Sequence, residues 1–233
     1  MVRSTVILSF VVLLLAASGE STAITYTGSL SSDTGGLEGS GIWVDMSLLP
    51  LAEQPNWVPA AITWTVSENP DLSWHYVYEL TVYRGDVSHM IIETSLNFTI
   101  GDVLNCTEDY DVQWYTPGPS NPLMPENIYG VKFDDLTETT EVITFDSSRM
   151  PVWGNFYSRD GVAGGGGQNA VWNAGFVDPE FDPETPIYDG SYRYHIIVPN
   201  TEIAGEVIPE PASVALLLMG LPGLALYARR RNR

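Results

Sequence analysis

The stretch that most restricts what this chain can become is 73–83. There Trp74, Tyr76, Tyr78, Leu80 and Val82 fall on one face of an extended segment, and His75, Val77, Glu79, Thr81 and Tyr83 on the other. A period of two suits a sheet and is useless to a helix. Bulk on both faces places this strand inside a sheet rather than at its edge. Just upstream, Ile62, Trp64 and Val66 alternate with Thr63 and Thr65, and Glu68, Asn69, Pro70 and Asp71 supply a turn between the two runs. The pair reads as a hairpin or a sandwich corner. Further strands are predicted over 24–31, 41–48, 87–99, 112–115, 131–133, 141–145, 152–157 and 192–198, with at most one short turn of helix in 122–129. No segment of 24–203 sustains a 3.6-residue apolar period. Ten short strands therefore predict an all-β fold, a β-sandwich or jelly-roll-like single domain.

The two ends are built differently. Arg3, an apolar run from Val6 to Ala17, and the small residues Ser21 and Ala23 at the −3 and −1 positions of a cleavage site read as a secretory signal peptide over 1–23. The apolar run falls short of the ~20 residues a spanning helix needs. At the other end, residues 204–211 form a short stalk and 212–233 a mostly apolar segment, broken by Gly220, Pro222 and Gly223 and closed by Arg229, Arg230, Arg231 and Arg233. A basic cluster directly after an apolar helix stops transfer and holds a tail on the cytoplasmic side. Pro209 and Pro211 bracket Glu210, so the stalk ends in a stiff, extended motif.

The run Val207, Ile208, Pro209, Glu210, Pro211, Ala212, Ser213, followed by the apolar segment and the arginine cluster, resembles the sorting signal of PEP-CTERM proteins. That resemblance implies recognition of Pro209, Glu210 and Pro211 by an exosortase, a membrane-embedded transpeptidase. It also implies passage across the inner membrane of a Gram-negative bacterium, with the C-terminal helix as a transient anchor, and a final place at the cell surface or in the exopolysaccharide matrix. A second similarity, over 161–176 and 196–201, is to the late part of PEP-CTERM passenger domains of unassigned function.

Charge narrows the partners. The 233 residues carry 10 basic and 29 acidic side chains, a formal charge of −19, so nucleic acid is not among the partners. Without residues 1–23 and 210–233, 5 basic and 27 acidic groups remain, near −22. The 44% hydrophobic and 11% aromatic content is ample for a packed core and unlike that of a disordered chain. Cys106 is the sole cysteine, so no internal disulfide supports the domain; it is read as buried and inert, or as available to a second chain. The glycosylation-type triplets at Asn97 and Asn105 read as loop or strand-edge positions.

Two segments offer chemistry. The glycine run 164–167 lacks the lysine and hydroxyl of a phosphate loop, but Gln168, Asn169, Trp172 and Asn173 just after it are the amide and ring types that contact sugars. They are a candidate carbohydrate patch. Asp178, Glu180, Asp182, Glu184 and Asp189, spaced by prolines, are candidate Ca²⁺ ligands, although the spacing is not that of an EF-hand. His75, His89 and His195 lack zinc-motif spacing, and there is no nucleophile elbow. The expected function is that of an exported, non-enzymatic surface or matrix protein, structural or adhesive, with exopolysaccharide as the partner. The alternative is a secreted polysaccharide-active hydrolase with paired carboxylates.

Overall fold

The computed structural model of the chain describes residues 23–161 and 168–203. Within them the chain is all-β. Its strands are β1 (Thr25–Ser31), β2 (Leu37–Ser40), β3 (Ala61–Glu68), β4 (Trp74–Thr81), β5 (Val87–Glu93), β6 (Tyr110–Tyr115), β7 (Ile128–Phe133), β8 (Thr140–Ser147), β9 (Arg149–Gly154), β10 (Phe156–Asp160), β11 (Ala170–Asn173) and β12 (Ile196–Ile203). A four-stranded sheet runs β1-β3-β4-β8, a six-stranded sheet runs β2-β11-β10-β5-β7-β6, and β9 and β12 form a two-stranded ribbon. All strand pairs are antiparallel.

The β3–β4 hairpin forms as its alternation demands. Trp64 faces Tyr78 and Val66 faces Tyr76 across the pair, and all four are buried. Asn69 opens the turn, its N–H donating to Ser73 O at 2.7 Å, while the Asp71 carboxylate accepts the Ser73 N–H at 3.1 Å. β4 lies between β3 and β8, the interior position that its two bulky faces required.

The inner faces of the two large sheets share one core of Ile62, Trp64, Tyr76, Tyr78, Leu80, Ile92, Val131, Phe133, Phe145 and Phe156, a β-sandwich arrangement. Phe133 and Phe145 meet across it at 5.6 Å between ring centroids. Burying each such side chain contributes about 1.5–3 kcal/mol, so the aromatic core alone outweighs any single polar contact. Tyr76 and Tyr78 place their hydroxyls in this interior, yet each finds a carbonyl of the ribbon, Arg149 O and Ile197 O, both at 2.8 Å. A smaller cluster of Ile91, Tyr115, Met124, Ile128, Tyr157 and Phe176 covers the opposite face of the six-stranded sheet. Both faces of β5 are thus dry, and Ile91 and Ile92 are equally buried.

Several sequence expectations are corrected. The segment 41–48 is not a strand but two 3-10 turns, Gly41–Trp43 and Met46–Leu48. Gly41 at φ 74° turns the chain out of β2, and the Asp45 carboxylate accepts the Ser47 N–H, so no ladder partner is left for the alternating apolar residues. The strand expected over 87–99 ends at Glu93, where Ser95 O accepts the Phe98 N–H in a tight turn. The expected 152–157 strand is two strands that change sheets at Asn155, β9 pairing with β12 and β10 with β5. Residues 192–195 form a turn, closed by the His195 N–H donating to Tyr192 O, ahead of β12. The stretch 122–129 contains no helical turn. Strands β2 and β11 had no counterpart in the sequence reading.

Residues 1–22 of the expected signal peptide, the glycine run 164–167, the expected stalk, the sorting motif Pro209, Glu210, Pro211 and the tail with Arg229, Arg230, Arg231 and Arg233 lie outside the described residues. Among the described residues no helix is long and apolar enough to cross a membrane.

Candidate functional site

The residues chosen from sequence for sugar contact do not form an open patch. Asn169 is 9% exposed and its amide is fully engaged, accepting the Ile42 N–H at 2.8 Å and donating to the Asp160 carboxylate at 2.6 Å. Asn173, wholly buried, accepts the Phe156 N–H at 3.0 Å and donates to Asn155 Oδ1 at 2.8 Å. Asn169 thus holds the turn at Ile42, and Asn173 the start of β10. Trp172 lies half-buried with its ring stacked on Tyr157 at 6.5 Å, and Gln168 alone of the four is exposed.

The acidic segment does not converge either. Asp178 accepts the Glu180 N–H and a guanidinium hydrogen from Arg193, and these bonds hold its carboxyl below the usual carboxylate range. Asp189 caps β1 by accepting the Thr27 N–H at 2.8 Å. Glu180, Asp182 and Glu184 are exposed along an extended loop. Proline stiffness spreads these carboxylates along the chain, and among the described residues no three His, Cys, Asp or Glu side chains gather in a way that could hold a metal ion.

Two carboxylates organise loops. Asp146 accepts from His75 Nδ1 at 2.6 Å, Asn105 Nδ2 at 2.6 Å and Asn69 Nδ2 at 3.5 Å. Burial opposes its ionisation, but these donors hold the carboxyl below its usual range. Ser73, the nearest hydroxyl in sequence to His75, donates instead to Asp71. The Asn105 triplet therefore sits in a loop, with φ 54°, as expected. Asp102 is gripped by Arg149, whose Nε and Nη2 reach its two oxygens at 2.8 and 2.9 Å. The same guanidinium donates to Asn97 O at 3.0 Å and lies over the Phe98 ring at 5.8 Å. Cys106 is partly buried, and burial pushes its thiol up, away from the reactive thiolate.

A further opening lies where the ribbon meets the six-stranded sheet. A cleft of about 370 Å³ is bounded by Glu93–Leu96 after β5, Trp114 of β6, Asn127 and Tyr129 of β7, Val152–Gly154 of β9, Pro183, and Val198 and Pro199 of β12. Trp114 is 56% exposed and meets Tyr129 edge-on, 5.6 Å between centroids at 67°. Glu93 Oε2 accepts the Asn155 N–H at 2.8 Å, and burial raises the carboxyl above its usual range despite that bond. Gly154 leaves room for this carboxyl: a Cβ there would lie 3.3 Å from Glu93 Oε2 and 2.5 Å from Val198 Cγ2. Thr94, 7% exposed, has no hydrogen-bond partner for Oγ1. Sequence reasoning missed this site, because Glu93 and Trp114 sit on different strands. The available signal was a lone carboxylate closing the apolar run Met90, Ile91, Ile92.

Among the described residues Glu93 is the single carboxylate on the cleft wall. Hydrolysis of a glycosidic bond by the usual route takes two, facing each other across the substrate. The arrangement can hold a ligand, with one flat ring, one acceptor, one unpaired hydroxyl and an apolar floor.

Searches of curated proteins and of solved structures returned no match. A family model described as the PEP-CTERM protein-sorting motif matches residues 207–232. The matched segment contains Pro209, Glu210, Pro211 and the arginines 229–231. This places the chain's role outside the cytoplasm and makes an exosortase its processing partner. The chain therefore carries a PEP-CTERM protein-sorting motif over 207–232, after an all-β domain.

Proposed function

We propose that this is a non-enzymatic protein of the cell surface or exopolysaccharide matrix, structural or adhesive, released from the inner membrane when an exosortase processes its tail. The sorting motif at 207–232 carries the reading. The single-carboxylate cleft supports binding over hydrolysis. The acidity of the passenger supports a hydrated location, since like-charged copies stay apart and screening by salt tempers the repulsion.

The test is fractionation with intact-mass measurement on native cells, with and without the exosortase, and on the triple variant Pro209→Ala, Glu210→Ala, Pro211→Ala. The expected wild-type product lacks the terminal arginines and appears at the surface or in the matrix. Loss of the exosortase or of the motif leaves a full-length tail in the inner membrane. Wild-type protein that keeps its arginine tail and stays in the membrane would overturn the proposal.

A further inference from the structure

The cleft beside Trp114 has features that together select one class of ligand. The indole is a flat, rigid plate over half exposed, held against Tyr129 at the rim of β6. Such a ring costs little entropy to present and packs well on the C–H face of a sugar ring. Beneath it, Thr94 Oγ1 is buried without a partner. An orphaned hydroxyl of that kind costs roughly 1–3 kcal/mol, a penalty that a ligand hydroxyl removes. Glu93 spends one oxygen on the Asn155 N–H and keeps acceptor capacity for another donor. Asn127, exposed at the rim, offers both an amide donor and an acceptor.

The ligand must therefore bring an apolar face and several hydroxyls on one rigid ring. An apolar peptide side chain would satisfy Trp114 but leave Thr94 Oγ1 unpaired and the remaining acceptor capacity of Glu93 unused. An anionic sugar is disfavoured on charge: among the described residues no Lys, Arg or His lines the cleft, and the passenger carries a formal charge near −22. The volume of about 370 Å³ lies within the range of small-ligand sites.

We propose that this cleft binds a neutral glycan, with the C–H face of one sugar ring stacked on Trp114 and its hydroxyls bonded to Glu93, Thr94 and Asn127. This deepens the adhesive reading and rests on it. It also moves the sugar contact away from Trp172, whose ring is stacked on Tyr157 and whose flanking asparagines bond within the fold.

The test uses the full chain in a detergent without a sugar head group, since a glycosidic detergent would compete. Titration calorimetry and tryptophan fluorescence are read against three probes: a β-1,4-glucan hexasaccharide, a β-1,3-glucan hexasaccharide and a polygalacturonate oligomer. At least one neutral probe is expected to bind and the galacturonate is not. Trp114→Ala should weaken the neutral binding by about tenfold or more. Glu93→Gln, which keeps the acceptor oxygen, should weaken it less, and Trp172→Ala should leave it unchanged. Trp114 is exposed enough that its removal leaves the fold intact, which thermal unfolding of the variant verifies. The proposal is overturned if neither neutral probe binds at about 10 mM, if the galacturonate binds best, if Trp114→Ala binds like wild type, or if Trp172→Ala abolishes binding. Location in the cell is read separately by fractionation, so a correctly sorted chain that binds no glucan sinks this inference alone.

Discussion

Arg149 offers the sharpest test of how the fold holds its loops. Its guanidinium is nearly buried, 9% exposed against 14% for the Asp102 side chain, and reaches both carboxylate oxygens. Arg149→Leu keeps much of the aliphatic stem and removes the charge. Losing one partner of a buried pair costs about 3–5 kcal/mol, mostly through the carboxylate left behind. Here Asp102 retains the Thr99 N–H at 2.7 Å and the Thr99 hydroxyl at 2.8 Å, so the lower end, about 3 kcal/mol, is expected. For a domain of this size that is about 6–12 °C in Tm. Urea unfolding of wild type, Arg149→Leu, Asp102→Asn and the double variant gives the cycle. The double variant should be more stable than the sum of the single losses predicts, because no bare charge remains. The pH dependence follows from Asp102. Burial opposes its ionisation, but the Arg149 and Thr99 bonds hold its carboxyl below the ordinary range. A depressed acid stabilises above its unfolded pKa and loses that contribution as pH falls through the folded value. The Arg149→Leu penalty should thus be full at neutral pH and shrink in strong acid. A penalty under about 1 kcal/mol, or one that grows in acid, would refute the reasoning.

Two further outcomes follow. His89 is 2% exposed, and burial, reinforced by Lys132 and Arg159, lowers its pKa from 6.5 to about 4. The unfolded chain then takes up a proton that the folded chain refuses, so stability is complete above pH 6.5 and falls by about 3 kcal/mol toward pH 4; His89→Gln should flatten that part of the curve in urea titrations at stepped pH. Asn173→Ala leaves the buried Phe156 N–H without an acceptor and should cost about 1–3 kcal/mol by thermal unfolding, with glucan binding unchanged.

What the sequence showed depended on whether a residue's partner was local. The β3–β4 hairpin was legible because Trp64, Val66, Tyr76 and Tyr78 alternate and the turn between them is built from Asn69, Pro70 and Asp71. The Ile42, Val44, Met46 and Leu48 alternation carried the same signal and failed, since a strand needs a neighbour and none lies beside it. β11 was invisible for the opposite reason. Its asparagines look like surface chemistry, yet they are the bonds that join β10, β11 and the 41–43 turn. The switch at Asn155 left no trace in the pattern, because Val152, Trp153, Phe156 and Tyr157 on either side are all bulky and buried and only their strand partners differ. The cleft was out of reach for the same cause: Glu93, Trp114 and Val198 meet through pairings of β5, β7, β6 and the ribbon that no local period encodes.

The ribbon has a mechanical meaning. The tail that bears the sorting signal continues directly from β12, so any pull on it enters the domain there. Among the described residues β12 is paired to β9 alone, in antiparallel register, with Ile203 opposite Arg149. A load applied at that end would part the ladder one rung at a time, and the first rung stands beside the guanidinium that grips Asp102. Val198 and Pro199, farther along the same strand, form one wall of the cleft. Arg149 thus stands between the end of the ribbon and the loop that carries Asp102.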